Sequence, residues 1–204
     1  MSSPDQLVQI VDAALADAVE RSGGWLACGP GCAQCCHGVF SISALDAHRL
    51  RAGLDCLDHT DSARAAAVRR RVAISAERLA WSFPGDVISG SLYSTPEALE
   101  AFDSFADDEA CPALDPASQT CDLYAARPVL CRTFGPPLRT PDDGLAVCEL
   151  CFDGASPEEI DRCQIDPAIL DAEREAEAAF GAQSDLRDGE PYRTIVTFAL
   201  RCAI

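Results

Sequence analysis

Four cysteines fall within nine residues, at Cys28, Cys32, Cys35 and Cys36, in a stretch that also holds Gly29, Pro30, Gly31 and Gly38. Glycine loosens the backbone and proline removes a donor, so this segment reads as a loop and not as a helix or strand. A loop that gathers thiols reads as one wrapped round an ion, because thiolate is a soft ligand for zinc and for iron. Cys111, Cys121, Cys131, Cys148 and Cys151 follow, and the chain holds twelve cysteines in 204 residues, too many for ordinary packing.

Disulfides would need an oxidising compartment and usually a domain too small to hold itself together. The first twenty residues carry Asp5, Asp12, Asp17 and Glu20 and show no export-signal pattern, so the expectation is a cytoplasmic protein. No stretch approaches the ~20 apolar residues of a membrane span, and no membrane partner is expected. The net charge of −17 argues against nucleic acid, whose affinity rests on cations neutralising phosphates. All 16 basic residues are arginine, which excludes lysine-based catalysis. Metal ions are the expected partners; the sequence names no protein partner.

With 48% apolar residues the chain can bury a core as a single domain over 1–204. The expected fold is mainly α: a small helical domain with cysteine-rich metal-binding loops and one short β-hairpin. Its cysteine core spans about 25–151, between helical flanks at 1–24 and 156–204. Apolar residues three and four apart from Leu7 to Val19 predict a helix over 4–21. Ser43 is the expected cap of a helix to about Gly53, and an alanine-rich helix follows from Asp61 to about Trp81. Its Arg64, Arg69, Arg70, Arg71 and Arg78 read as a solvated basic face rather than a docking surface. Thr95-Pro96-Glu97 starts a helix expected to end near Asp107. Asp142, Asp143 and Gly144 supply the turn of a hairpin. Ser156, Pro157 and Glu159 form a capping-box signature, Asp166-Pro167 starts a helix to about Phe180, and the stretch from Tyr192 leans towards helix.

Cys28-x3-Cys32-x2-Cys35 has the spacing of several iron-sulfur loops, but the chain lacks the alternating strands and helices of a radical-SAM barrel. Neighbouring Cys35 and Cys36 leave the backbone in different directions, which makes it awkward for both to reach one tetrahedral ion and favours two sites or one spectator. The pairs Cys32/Cys35 and Cys148/Cys151 could also share one zinc-knuckle site. His37 is a further candidate ligand or hydrogen-bond donor; His48 and His59 read as solvent-facing, and Cys56, Cys163 and Cys202 as structural thiols.

The second half carries Cys111-Pro112 and then Cys121-Asp122-Leu123-Tyr124-Ala125-Ala126-Arg127-Pro128-Val129-Leu130-Cys131-Arg132-Thr133-Phe134. With the first run, this resembles the YkgJ-type cysteine-cluster family, whose CxxCxxCC motif marks a zinc- or iron-chelating domain. The first gap here has three intervening residues instead of two. Carried over residue by residue, the resemblance implies Cys28, Cys32, Cys35, Cys36, Cys111, Cys121, Cys131 and one of Cys148 and Cys151 as ligands. Eight thiolates would fill two four-ligand sites, or a cubane and a second site. Arg127 and Arg132 would sit behind the thiolates and offset their charge. Pro128 would start the helix that bears Cys131, and Tyr124 and Phe134 are expected in the core.

The leading expectation is a protein that chelates zinc or iron, the iron as an iron-sulfur cluster or otherwise. A second is enzymatic, because flagellin lysine N-methylases look similar in their cysteine cluster; that resemblance implies methyl transfer from S-adenosylmethionine to a protein lysine. A third is a redox or metal sensor.

Overall fold

The computed structural model describes residues 4–140, 144–183 and 192–201. In chain order these form α1 (Pro4–Ser22), β1 (Ile42–Ser43), α2 (Ala44–Thr60), α3 (Ser62–Leu79), β2 (Gly85–Asp86), β3 (Ser91–Leu92) and α4 (Pro96–Phe102). Then come β4 (Leu114–Asp115), β5 (Thr120–Cys121), α5 (Val129–Thr133), β6 (Leu138–Arg139), β7 (Leu145–Ala146), α6 (Pro157–Arg162), α7 (Ala168–Gln183), β8 (Arg193–Thr194) and α8 (Val196–Arg201). The fold is mainly α, as expected. Its described residues divide into two compact units, one of residues 4–32, 129–140 and 144–183, the other of 33–128 and 192–201.

In the first unit, α1 packs against α5 and α7. Leu7, Val11 and Ala18 are fully buried along one stripe of α1, the helical period carrying them to the same side. Arg132 on α5 reaches back with Nη1 at 2.8 and 3.0 Å from the two carboxylate oxygens of Asp12. The hairpin forms between β6 and β7, with Leu138 opposite Ala146; its tip at Asp142 and Asp143 lies outside the described residues. The capping box at Ser156 and Glu159 is present in full.

In the second unit, α2, α3 and α8 pack on one another. Their shared core includes Leu50, Leu54, Ala65, Val68, Val72 and Ala199. The Ser43 side chain accepts from the amide of Asp46 and caps α2, while Asp61 caps α3 through the amide of Arg64. The helix expected to stop at Gly53 runs on to Thr60, because Gly53 packs against the short 3-10 turn Tyr124–Ala126; a Cβ there would lie 2.3 Å from that of Ala126. The helix begun by Thr95 ends at Phe102, where the chain turns to bury Phe105. The segment from Tyr192 contributes both a strand, β8, whose Thr194 pairs with Ile42 of β1, and a helix, α8.

Where one hairpin was expected, the described residues form three hairpins and the β1–β8 pair. The two further hairpins share one device. Asp86 accepts from the amides of Ile88 and Ser89 and from the Ser89 hydroxyl, and Asp115 does the same for Ala117 and Ser118. The residue after each serine, Gly90 or Gln119, then turns the chain with φ of 72° or 55°. No described helix is long and apolar enough to cross a membrane.

Candidate metal centres

The first unit gathers Cys28, Cys32, Cys148 and Cys151. Cys28 follows a 3-10 turn, Gly23–Trp25, that ties its loop to the segment after Cys151: the Phe152 amide donates to the Trp25 carbonyl at 2.9 Å and the two rings stack. Cys148 and Cys151 close a turn of their own through the Cys151 amide and the Cys148 carbonyl, and both are buried among Phe152, Cys163, Trp25 and Leu26. The Sγ atoms of Cys28 and Cys151 stand 3.8 Å apart. Gly135 leaves room for them: it adopts φ of 124°, and a Cβ there would come within 3.0 Å of Cys28 Sγ.

The Cys28 thiol is pushed up to about 12, by desolvation first and then by the hydrogen bond and charge of Cys151, with Cys148 and Cys32 adding to it. Cys148 is raised by burial and by the neighbouring Cys151 and Cys32. Cys131 sits partly buried on α5, and Cys163 donates from Sγ to the carbonyl of Arg21.

The second unit gathers Cys35, Cys36, Cys111 and Cys121. Backbone pairing across two segments brings them together: the Cys111 amide donates to the Cys36 carbonyl at 2.7 Å, His37 bridges Ala110, and the Gly38 amide donates to the Glu109 carbonyl. Four residues of hairpin loop then return the chain so that Cys121 stands opposite Leu114. Asp122 fixes that return. Its carboxylate accepts from Arg64 at 2.7 Å and from Arg71 at 2.5 Å, while Nε of Arg71 donates to the carbonyl of Pro112 at 2.8 Å. One guanidinium thus holds the residues next to Cys111 and Cys121 at once.

The basic face is solvated as expected, with Arg64, Arg69, Arg70 and Arg78 exposed, yet most of its arginines are also paired, Arg69 with Asp58 and Arg78 with Glu109. The reason is topological: the hairpin carries Asp122 back to α3, which residue spacing along α3 does not reveal. Asp122 was missed as a supporting residue. A lone carboxylate directly after a motif cysteine was the available signal.

Cys35 and Cys36 share a hydrogen bond. The bond from Cys36 lowers Cys35 to about 6 against the opposing effect of burial, helped by a backbone amide and the charge of Arg127. Cys36, which keeps the proton, is raised by the same bond, by burial and by the charges of Cys35, Cys111 and Cys121. Burial pushes Cys111 up to about 12 and raises Cys121, with Arg127 pulling the latter down. Arg127 stacks its guanidinium 3.6 Å from the centre of the Tyr124 ring. Tyr124 and Phe134, expected in the core, are exposed, Tyr124 because its ring serves as this platform. Arg132 faces Asp12, a carboxylate. His37 lends its backbone to the pairing with Ala110, His48 and His59 are exposed as expected, Cys56 is exposed where Cys163 is buried, and Cys202 lies outside the described residues.

As they stand, no three His, Cys, Asp or Glu side chains among the described residues converge tightly enough to hold an ion, so binding would require the thiols to draw in. The donor chemistry fits a metal nonetheless. A tetrahedron with arms of about 2.3 Å has edges of about 3.8 Å, which is the Cys28–Cys151 separation.

A family model described as "CxxCxxCC: Putative zinc- or iron-chelating domain" matches residues 27–151. Comparison with curated proteins and with solved structures returns no match.

Proposed function

The chain belongs to the CxxCxxCC family of chelating domains, and from that premise we propose that it binds two metal ions in two separate tetrathiolate sites, in a reducing compartment. Cys28, Cys32, Cys148 and Cys151 hold the first; Cys35, Cys36, Cys111 and Cys121 hold the second. The observation that carries this reading is the sorting of the thiols. Each set of four lies within one unit, and the mutual influence of the thiols runs inside each set. The divide falls between Cys32 and Cys35 rather than between the adjacent Cys35 and Cys36.

Zinc is the ion the proposal favours. Sulfurs 3.8 Å apart suit the edge of a one-ion tetrahedron, whereas thiolates of a cubane each hold a different iron and stand farther apart. A bound divalent ion would supply the positive charge that four crowded thiolates need. Around it, this chain's own groups act: Arg127 offsets the charge near Cys35 and Cys121, and the apolar packing of Cys148 and Cys151 excludes water.

Elemental mass spectrometry and visible spectra on anaerobically purified protein test the identity of the metal. Two zinc ions per chain and a colourless solution are expected. A brown solution with stoichiometric iron and sulfide would replace zinc by a cluster, and protein free of both metals would overturn the proposal.

A further inference from the structure

The second unit exposes large apolar side chains in a place the metal sites do not use. Trp81 is 96% exposed, Ile88 81%, Leu99 57% and Tyr93 54%. Trp81, Ile88 and Tyr93 lie between α3 and α4 and Leu99 lies on α4, in a segment whose inward residues Phe83, Val87, Leu92, Phe102 and Phe105 belong to one core cluster with Phe198. That segment is held firmly. The Phe83 ring lies 4.2 Å from Phe198 and 6.0 Å from Phe105, Phe105 stacks on Phe102, and the Tyr93 amide donates to the Pro84 carbonyl. Gly90 sits so close to α8 that a Cβ there would lie 2.8 Å from that of Phe198. The exposed rings and aliphatic chains are therefore presented on rigid backbone, the condition under which tryptophan and tyrosine anchor a partner.

Charge identifies the partner. From Leu79 to Ala126 the sequence contains nine acidic residues and no Arg, Lys or His, and of the nine Asp122 and Glu109 are already paired with arginines of α3. Glu97, Glu100, Asp103, Asp107 and Asp108 of this stretch are exposed. A second copy of the chain would bring the same acids against these, at a net charge of −17 each. A nucleic acid or an anionic membrane would be repelled likewise. We propose that the segment bearing Trp81, Ile88, Tyr93 and Leu99 docks a basic amphipathic polypeptide, whose apolar side chains cover these exposed ones and whose cations meet the segment's exposed carboxylates.

Calorimetry on the full metal-loaded chain with two synthetic peptides of equal charge tests this. Both carry lysines at the same positions; one has a leucine face at helical spacing and the other has serine in place of each leucine. The leucine peptide should bind the native protein at least about tenfold more tightly than the serine peptide. In the Trp81→Ser, Leu99→Ser double variant, with unchanged helical circular dichroism, the ratio should fall to about one; Leu99→Ser alone should lower it in the same direction. Equal binding of both peptides would reduce the segment to a general attraction for cations and overturn the proposal. So would a ratio unaffected by the variants, or absence of binding. Self-association of the native protein that the double variant abolishes would assign the segment to a second copy and overturn it too. Each readout is independent of metal content.

Discussion

Asp122 is the residue on which the second thiol set most depends without contributing a thiol. Its side chain is 5% exposed and takes hydrogen bonds from two arginines of α3. Removing it leaves Arg71, itself mostly buried, without its carboxylate and loosens the hold on the hairpin. Asp122→Ala is expected to lower unfolding stability by about 2–4 kcal/mol in urea titrations, whereas Asp58→Ala, which breaks an exposed pair with Arg69, should cost less than about 1 kcal/mol.

At the same scale, Cys35 stands apart from the other thiols of its set. Lowered to about 6, it is a thiolate at neutral pH, and the thiolate is the nucleophile. In metal-free protein Cys35 should therefore be alkylated first at pH 7, with its rate falling as pH drops below about 6. Because the bond from Cys36 is the main cause, Cys36→Ala should slow this reaction at pH 7 more than Arg127→Ala does. Peptide mass mapping after brief alkylation reads both.

Among elements, the helix starts were legible because capping chemistry is local. Ser43, Asp61, Thr95 and Ser156 all cap as their sequences imply. Helix ends were less so. Gly53 reads as a stop, yet it lies inside α2 as the place where a 3-10 turn approaches, a reason that sits some 70 residues away. Gly53→Ala should accordingly destabilise, by about 1–3 kcal/mol in urea titrations, although glycine to alanine in an open helix stabilises by up to about 1 kcal/mol. The Asp86 and Asp115 hairpins went unread because two-residue strands leave no alternating pattern for a sequence to show. The cysteines themselves were legible from spacing and type. Their grouping was not, since it depends on which segments the hairpin and the Cys36–Cys111 pairing bring together.

For the whole molecule, two units each gathering four thiols make metal binding and pH inseparable. Cys28 and Cys111, both pushed up to about 12, hold their protons at neutral pH and must release them to coordinate. Protons compete with the metal, so affinity should rise with pH over the range from 6 to 9. Each displaced proton adds about tenfold per pH unit, which competition titrations against a chromophoric chelator would measure. The same linkage makes the loaded protein lose metal on acidification and lose thermal stability with it.

The most direct measurement of the two-site reading is metal counting by native mass spectrometry on paired cysteine variants. The native protein should carry two ions. Cys28→Ser with Cys151→Ser should carry one, Cys36→Ser with Cys121→Ser should carry one, and the four substitutions combined should carry none. Loss of all metal from each pair would mean a single shared centre and contradict the assignment of the thiols to two separate sets.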